Sequence, residues 1–295
     1  MITVKLMGGL GNQMFQYAIG RAVSLDRGDT LVLDKSFYDV EHKNVTTRKY
    51  ELSYFNINPS FKNYRISGKF ILFRDALFRT IARHLSMIYP QYVLERTLLY
   101  DTSQFEGKNG DIYFDGFWPC EKYFSHHAKE IREDFQFRIP QSSINKRWSD
   151  IITDTCSICL HVRRGDYVTN PDAAKCHGSL IGDDGLRYYR DAITYIASRV
   201  QNPVFFLFSD DIEWVKNNLS IEYPVYYMDH NGPSEDYEDL RLMTQCKHFI
   251  IANSSFSWWG AWLSKSEEKI VICPKKWFKN QELEIDIACD GWVQL

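Results

Sequence analysis

Residues 2–34 read ITVKLMGGLGNQMFQYAIGRAVSLDRGDTLVLD, and this stretch sets the fold class. ITVKLM and TLVLD are short runs of strand-forming residues, and the apolar residues between them, from Met14 to Leu25, recur at helical spacing. Asn12 is a suitable helix N-cap, and Gly28 is a suitable C-terminal stop. The stretch therefore predicts a strand, a glycine turn, a helix and a second strand, which make one βαβ unit.

Beyond residue 155 the predicted strands and helices alternate strictly. Strands are predicted at SICLHV (157–162), PVFFLF (203–208), PVYYM (224–228), HFIIA (248–252) and the final KIVICP (269–274), with intervening helices at 186–200, 211–219, 234–246 and 254–264. This alternation predicts an α/β protein with a parallel, doubly wound sheet. Such sheets bind ligands beyond the C-terminal ends of their strands.

The polar stretch PQSSINKRWSD (140–150) predicts a domain boundary, which gives domains 1–150 and 151–295. We interpret 170–187 as a long polar loop. The basic stretch 62–84 predicts either a helix with a solvated face or a peripheral contact with an anionic membrane.

Composition indicates a globular protein, with 295 residues of which 44% are hydrophobic and 25% charged. The formal net charge of −3 argues against a nucleic-acid binder. Seven scattered cysteines predict reduced thiols, and we interpret the C-x-x-C of Cys156 and Cys159 as two strand residues. The chain opens with a strand rather than a signal peptide, and no run approaches the ~20 apolar residues of a membrane span. We expect a cytoplasmic protein, with the inner membrane face as its alternative location.

The motif HVRRGDY (161–167) follows a predicted strand directly, which places Arg163 and Arg164 at the ligand edge of the sheet. A guanidinium presents a planar fork of donors that matches phosphate oxygens, and it stays charged at any working pH. Adjacent side chains point in different directions, so we expect one arginine to face a ligand and the other to pair with Asp166 or another carboxylate. The alternative is a purely structural salt bridge.

Polar residues also follow the later strands. We expect Ser209 or Asp210, in FSDD (208–211), to cap the next helix. NSSFSWWG (253–260) opens a helix whose first backbone N–H groups form a ready anion site. Asp239 is either a surface helix residue or a carboxylate that accepts hydrogen bonds from the N1 and N2 edge of guanine.

Several common motifs are absent from the sequence. It contains no D-x-D triplet, no G-x-x-x-x-G-K-[ST] loop and no G-x-S-x-G elbow, and GGLGNQ does not fit the G-x-G-x-x-G fingerprint. Arginine and a helix N-terminus would therefore have to neutralise a diphosphate without a metal.

Four motifs in this order resemble the inverting α-1,2-fucosyltransferases of the H-antigen type, in their compact bacterial form: GGLGNQMFQYA (8–18), HVRRGDY, FSDD and NSSFSWWGAW (253–262). DGFWPCEKYF (115–124) and YYRDAI (188–193) are also similar to segments of that family, so the resemblance spans nearly the whole chain. The spacing from Asp239 to Ser255 resembles that of the α-1,6- and protein O-fucosyltransferases.

The resemblance implies a GT-B fold, with two Rossmann-like, doubly wound domains facing across a cleft. The C-terminal domain would bind GDP-L-fucose and the N-terminal domain a galactose-terminated glycan. The implied reaction is inverting transfer of L-fucose to the 2-hydroxyl of a terminal galactose on a surface polysaccharide or O-antigen precursor, with no metal or other cofactor. The alternatives are a transferase of another linkage or sugar nucleotide, and a non-catalytic nucleotide- or glycan-binding protein on the same scaffold.

The resemblance also implies roles for individual residues. Arg163 would hold the β-phosphate, while His161 and Asp239 would contact the nucleoside. Ser254 and Ser255 would reach the phosphates, Asn12 would lie near the transferred sugar, and the candidates for a general base are Glu121 and the carboxylates at 183–184. The remaining donor-site residues expected from these motifs are Gly9, Gly11, Arg164, Asp166, Ser209, Asp210, Asn253 and Phe256.

Overall fold

The computed structural model describes residues 1–40, 46–62, 92–280 and 283–295. The chain divides into two compact units, the first formed by Met1–Arg138 with Glu284–Ile287 and the second by Ile139–Leu283 with Ala288–Leu295. Residues 139–150, which we assigned to the first domain, lie in the second unit. The basic stretch 62–84 lies outside the described residues except for Lys62.

The first unit contains a five-stranded sheet in the order β3-β2-β1-β5-β4, and every described strand pair is parallel. Its strands are β1 (Ile2–Lys5), β2 (Leu31–Asp34), β3 (Ser60–Phe61), β4 (Tyr92–Leu94) and β5 (Ile112–Asp115). Helix α1 (Leu10–Arg27) connects β1 to β2, which confirms the predicted βαβ unit. Short 3₁₀ helices occupy Ser36–Asp39, Leu52–Tyr54, Thr102–Gln104, Glu121–Tyr123 and Ser125–His127, and α2 spans Ala128–Asp134.

For helix α1 the predicted C-terminal stop is confirmed, but the predicted N-cap is not. Gly28 ends the helix in the left-handed conformation, with φ 64°, as expected. The prediction that Asn12 caps the start was wrong, because the N-cap is Gly9 and Asn12 lies in the first turn. Gly8 adopts φ 77°, which turns the chain immediately after the strand segment and lets the helix begin at Leu10.

The second unit contains a six-stranded sheet in the order β11-β10-β9-β6-β7-β8, again with parallel pairing. Its strands are β6 (Cys156–Val162), β7 (Pro203–Ser209), β8 (Val225–Tyr227), β9 (His248–Ile250), β10 (Val271–Cys273) and β11 (Val293–Gln294). KIVICP is therefore not the final strand. The helices are α3 (Ser143–Asp154), α4 (Gly165–Thr169), α5 (Pro171–His177), α6 (Asp183–Ala197), α7 (Ile212–Asn218), α8 (Asp236–Met243) and α9 (Ser255–Leu263).

Two stretches predicted to be irregular are helical. The proposed boundary stretch enters α3, which Ser142 caps by accepting a hydrogen bond from the Asn145 N–H. The proposed loop 170–187 contains α5, a 3₁₀ turn at Gly178–Leu180 and the start of α6. The Asn170 side chain caps α5, and Pro171 occupies its first turn, a strong start signal that the polar composition concealed.

The two faces of strand β6 have different surroundings. Ile158, Leu160 and Val162 face a hydrophobic core shared with α6 residues such as Ala192 and Ile196. Cys159 and His161 alternate with them and therefore lie on the opposite face. Cys156 and Cys159 are strand residues, as predicted, and all seven cysteines are unbridged. No described helix has the length and hydropathy that a membrane crossing requires.

Candidate active site

The ends of three adjacent strands bring the sequence motifs of the second unit together. Strand β6 pairs with β7 on one side and with β9 on the other. Because all three strands are parallel, HVRRGDY, FSDD and the segment that leads into α9 meet at the same edge of the sheet. Each motif was predicted to follow a strand, and the order of the strands in the sheet makes the three motifs neighbours.

Arg163 is held between two carboxylates at this edge. Its Nη2 lies 2.6 Å from Asp166 Oδ1, and its Nη1 lies 2.6 Å from Asp210 Oδ2. The guanidinium also lies over the Tyr167 ring, 5.6 Å from its centroid. Burial acts to lower the pKa of Arg163, but Asp210 and Asp166 outweigh it and raise that pKa above its ordinary value. The result is a permanently charged, oriented group with more N–H donors than the two carboxylates use.

Arg164 makes a different set of contacts. Its backbone N–H donates to Asp210 Oδ1 at 2.8 Å, and its Nε donates to Asp211 Oδ2 at 3.1 Å. Its guanidinium stacks on Trp214, 3.5 Å from the ring centroid. The expected division into one arginine that faces a ligand and one that pairs with a carboxylate is not seen, because both are paired and the partner of Asp166 is Arg163. The predicted contact of Arg163 with a phosphate stays a prediction.

Asp210 is therefore a bridge and not a helix cap. It accepts from the Arg164 backbone with one oxygen and pairs with Arg163 through the other. The cap of α7 is Asp211, which accepts from the Trp214 N–H, so the prediction that Ser209 or Asp210 performs this role was wrong. Ser209 instead accepts a hydrogen bond from the Asp211 N–H at 3.0 Å.

Gly165 makes room for this arrangement. A Cβ atom at this position would lie 2.3 Å from Asp210 Oδ2, closer than real side chains come. The glycine of the RRGD sequence is thus required by the close approach of Asp210, although its φ is not in the left-handed region.

Asn253 joins the strand edge to segments far away in sequence. Its Nδ2 donates to the carbonyl oxygens of His177 at 2.8 Å and Trp277 at 2.9 Å, and it lies 3.1 Å from Ser179 Oγ. Tyr167 donates to the Asn253 carbonyl at 3.1 Å. The amide nitrogen of Asn253 is thus committed to structural contacts, and its predicted contact with a donor phosphate stays a prediction.

Helix α9 begins at this edge. Ser254 is its N-cap and is buried, and its side chain makes no capping hydrogen bond. The first N–H groups of a helix have no carbonyl partner within the helix, and they carry its positive dipole end. Ser255 and Phe256, which form the first turn, are half-buried. The arrangement suits an anion, as the sequence analysis proposed.

His161 lies on the β6 face opposite the core, two residues before Arg163. It is 5% exposed, and its ring centroid lies 6.0 Å from that of Phe256. Its Nδ1 has no hydrogen-bond partner among the described residues. Burial lowers the pKa of His161 to about 4, so the imidazole is neutral at physiological pH and can accept or donate one hydrogen bond.

Asp239, in the first turn of α8, has a carboxyl group whose pKa is raised above its ordinary value. Burial raises its pKa to about 7, although a hydrogen bond from Asn231 Nδ2 at 2.7 Å acts to lower it. Neighbouring carboxylates of Asp236, Glu235 and Glu238 raise it further. Near neutral pH this group changes between an acceptor-only carboxylate and a neutral acid.

The second unit also has a cavity of about 260 Å³ next to the arginine motif. Tyr167 lines it, and the Tyr167 ring stacks on His177 with centroids 5.2 Å apart. The lining combines aromatic, hydroxyl, cationic and carboxylate groups, including Ser179, Phe278, Lys279 and Asp184. Such a mixture suits a polar, hydroxyl-rich ligand such as a sugar.

In the first unit the glycine turn after β1 is held by two buried glutamines. Gln16 accepts from the Met7 N–H at 3.0 Å and donates to the Gly116 carbonyl at 3.1 Å, which ties the turn to the loop after β5. Gln13 donates to the Gly8 carbonyl at 3.1 Å. Gly11 is buried in the first turn of α1, while Gly9 and Asn12 are half-buried.

The loop after β5 is held by a half-buried carboxylate, Glu95, which was not among the predicted site residues. Glu95 accepts from the N–H groups of Phe117 at 2.7 Å and Trp118 at 2.8 Å. Burial raises the pKa of Glu95 to about 7, despite these two hydrogen bonds. Trp118 adopts φ 55°, and Phe117 is left 39% exposed. An exposed aromatic ring on a fixed loop is a suitable surface for packing against a sugar.

Comparison with known proteins identifies the family. The model of glycosyl transferase family 11 matches residues 1–295. The chain belongs to this family of glycosyltransferases.

Two bacterial relatives of this family 11 enzyme align over nearly its whole length, and a human relative aligns over half of it. An Escherichia coli alpha-1,2-colitosyltransferase is 38% identical over 305 residues, covering 100% of this chain and 98% of the relative. The E. coli O-antigen biosynthesis glycosyltransferase WbnK is 35% identical, covering 98% of this chain and 99% of its own. The human galactoside alpha-(1,2)-fucosyltransferase 1 is 29% identical over 160 residues, which are 50% of this chain and 42% of the relative.

A solved structure supports the fold. The NodZ alpha-1,6-fucosyltransferase of Bradyrhizobium, in crystals soaked with GDP-fucose, aligns with a TM-score of 0.53 at 15% sequence identity. The alignment covers 89% of this chain and 91% of NodZ. Together with the two parallel sheets, this likeness confirms the predicted α/β fold class of the GT-B fucosyltransferases.

The structure brings some predicted site residues of this family 11 enzyme together. Arg163, Asp166 and Asp210 form one cluster, with Arg164 attached through Asp210, and the α9 start follows the adjacent strand. The sequence analysis did not single out Tyr167, Trp214 or Asn231, each of which contacts a predicted residue. Tyr167 lies inside the quoted motif, but Trp214 and Asn231 had no signal of their own.

Of the predicted base candidates, Asp184 lines the cavity beside the arginine motif. Glu121 is half-buried in its 3₁₀ helix, and Asp184 is 79% exposed and pairs with Arg187 at 3.3 Å. Asp183 and Asp184 lie in the first turn of α6 and not in a loop. Among the described residues, a cluster of three side chains with metal-ligand spacing occurs in the first unit, at Asp26, His126 and His127, and not at the arginine edge.

Proposed function

We propose that this family 11 glycosyltransferase transfers L-fucose from GDP-L-fucose to the 2-hydroxyl of a terminal galactose, with inversion and without a metal. The acceptor is a surface glycan or O-antigen precursor, and the reaction takes place in the cytoplasm, with the inner membrane face as a further location. The observation that carries the proposal is the Arg163 guanidinium, fixed by Asp166 and Asp210 at the strand edge that leads to α9.

The chemistry follows from where charge develops. When the bond between fucose C1 and the β-phosphate oxygen breaks, the sugar becomes oxocarbenium-like and the β-phosphate gains negative charge. A guanidinium already oriented by two carboxylates stabilises that charge without reorganising. The N–H groups at the start of α9 support the same diphosphate through the helix dipole. Attack of the acceptor oxygen from the opposite face forms the new bond and inverts the configuration at C1.

Asp239 and His161 support the choice of a guanine nucleotide. An ionised Asp239 accepts two hydrogen bonds from the N1–H and N2–H of guanine, an edge that adenine and pyrimidine bases lack. Asp239 lies close enough to Cys159 to help raise the pKa of that thiol, behind the larger contributions of burial and Cys246. Cys159 and His161 share one face of β6, and Arg163 follows the end of that strand, so the distance from Cys159 to Arg163 is ~13 Å along the chain, comparable to a nucleoside diphosphate.

The first unit supplies the acceptor side in this proposal. Asn12 and the glycine turn at Gly9 and Gly11 lie near the transferred sugar, and Glu121 is the proposed base that takes the proton from the acceptor hydroxyl. A reaction with much bond breaking in its transition state needs only a weak base.

A second donor is favoured by one comparison. The relative that is 38% identical over this whole chain is a colitosyltransferase. Colitose is L-fucose without its 3-hydroxyl group, so the same leaving group and the same arginine would serve both sugars. GDP-colitose is therefore the second candidate donor.

The first experiment is a thermal-shift panel of GDP, UDP, CMP and ADP, each with and without EDTA. A ligand that binds only the folded state raises Tm by mass action. We expect a shift with GDP alone that EDTA leaves unchanged. A shift that requires a divalent ion, or one produced by another nucleotide, contradicts the proposed donor class.

Transfer is then measured with a galactose-terminated disaccharide and either GDP-L-fucose or GDP-colitose, with the linkage determined by NMR. We expect Arg163→Ala to lower kcat by roughly 10²–10³-fold, the size typical of a lost donor to a developing oxyanion, while Arg163→Lys recovers a minor part. Arg199→Ala is the matched control, because Arg199 stacks on Tyr195 at the surface of the same unit. Full activity in Arg163→Ala refutes its role, and disaccharide binding without transfer favours a non-catalytic glycan-binding protein.

A further inference from the structure

Three potential metal ligands converge on the first unit, apart from every residue used above. Asp26 lies in the last turn of α1, and His126 and His127 lie in the 3₁₀ helix Ser125–His127. His126 Nε2 is 3.1 Å from Asp26 Oδ2, and His127 Nε2 is 2.8 Å from Asp26 Oδ1. The ligand atoms of all three side chains lie within 4.8 Å of one another.

These separations are those of a chelating set. Bonds of about 2.0–2.2 Å at tetrahedral angles place neighbouring ligand atoms roughly 3.3–3.5 Å apart. The two distances to Asp26 lie within a few tenths of an ångström of that spacing, and the limit of 4.8 Å for the whole set is within reach of side-chain rotation. Two imidazoles and a carboxylate are ligands that late first-row divalent ions accept. Three protein ligands leave a fourth position for water.

His127 has the second partner that metal-binding histidines commonly use. Its Nδ1 lies 3.8 Å from Glu130 Oε2, while its Nε2 points to Asp26. In the metal-free protein Nε2 donates its proton to Asp26, so ion binding requires that the ring proton move to Nδ1, which faces Glu130. A simple surface ion pair between Asp26 and one histidine would require neither the second histidine nor the carboxylate of Glu130 beside Nδ1.

The site is open to solvent. The side chains of Asp26 and His126 are 47% and 49% exposed, so an ion reaches the group from solvent without opening the fold.

We propose that Asp26, His126 and His127 form a binding site for a late first-row divalent metal ion, with Zn²⁺ as the expected occupant. The ion ties the last turn of α1 to the segment that leads into α2. Asp26 lies sixteen residues beyond Leu10, or ~24 Å along the helix axis from the glycine turn, so the site is structural and takes no part in transfer.

The test uses the full chain, stripped with EDTA and then freed of EDTA by dialysis. Isothermal titration with Zn²⁺ is expected to show one saturable site, and Co²⁺ is expected to give the visible absorption bands of a tetrahedral centre. We expect Asp26→Asn and His127→Ala to weaken Zn²⁺ binding at least about tenfold and to remove the Co²⁺ bands. His230→Ala is the matched control, since His230 stacks on Trp148 in the second unit and is not in the cluster.

Each outcome of this test either supports or overturns the proposed metal site. Absence of saturable 1:1 binding in the wild type, or unchanged binding in both cluster variants, overturns the site, as does loss of binding in the His230 control. Two variants are used so that misfolding of one, checked by circular dichroism, leaves the other informative. Asp26→Asn is expected to keep its GDP thermal shift and its transfer activity, which separates this site from the proposed function.

Discussion

Asp239 makes the proposed nucleotide recognition dependent on pH in a way that can be measured. Only the ionised carboxylate accepts both guanine N–H groups, and the pKa of Asp239 in the free protein is about 7. The ionised fraction falls from about nine-tenths at pH 8 to about one-tenth at pH 6. Apparent affinity scales with the fraction in the binding state, so the Kd for the donor should rise about tenfold over this range.

The assay is isothermal titration with GDP-L-fucose between pH 6 and pH 8. The sugar nucleotide replaces GDP because its diphosphate has no terminal phosphate group that titrates in this range. Titration of His161 does not mimic the effect, because burial lowers its pKa to about 4. Burial also lowers the pKa values of His177 and His230 below the ordinary value, and the Asp239→Asn variant separates their titration from that of Asp239.

Two variants test the assignment to Asp239. Asp239→Asn loses one hydrogen bond to guanine and the charge, for which we expect roughly 10–100-fold weaker binding at pH 8 and a flat pH profile. Asn231→Ala removes the hydrogen bond that holds the pKa of Asp239 down, so its binding profile should shift to higher pH. A wild-type profile that is flat between pH 6 and pH 8, or an Asp239→Asn variant that binds as well as wild type, refutes the reasoning.

The melting temperature of Asp239→Asn, measured as a function of pH, provides an independent control. The folded-state pKa of Asp239 is raised above the unfolded value of about 3.9, so the group favours folding at low pH. That contribution is lost as the pH rises from about 4 to about 7. Asp239→Asn should therefore raise Tm at pH 8 and leave it nearly unchanged at pH 4, even though it weakens donor binding.

Three further substitutions probe the arginine edge. Gly165→Ala places a Cβ 2.3 Å from Asp210 Oδ2 and should lower the free energy of unfolding by about 1–3 kcal/mol and the transfer rate at least tenfold. Gly178→Ala, whose Cβ meets nothing closer than 3.9 Å, is the control for stability and should match wild type in urea denaturation. Asn253→Ala removes the donor shared by His177, Ser179 and Trp277 and should cost about 2–4 kcal/mol in urea denaturation; wild-type stability would show that these contacts are dispensable. Trp214→Leu removes the ring under Arg164, and we expect a loss of ~0.5–2 kcal/mol in transition-state stabilisation, measured as kcat/KM, with no loss if the stacking is incidental.

Most of the fold prediction depended on local sequence patterns. The βαβ start and the alternation after residue 155 rest on hydrophobic spacing within one element, and both appear in the structure. Helices α3 and α5 were missed because their sequences are polar, and their start signals at Ser142 and Asn170 were not weighed. Asn12 was misplaced as a cap because a left-handed Gly8 starts the helix earlier than side-chain preference suggests.

The sequence alone placed two arginines, an Asn-Ser-Ser turn and a set of carboxylates after strands, because each placement depends on neighbouring residues. It also contained the pair between Arg163 and Asp166, which are three residues apart. Only the tertiary structure assigned Asp210 to Arg163, Asn231 to Asp239 and the carbonyls of His177 and Trp277 to Asn253. These contacts depend on which strands are adjacent and how they are registered, and alternation of strands and helices leaves both unspecified.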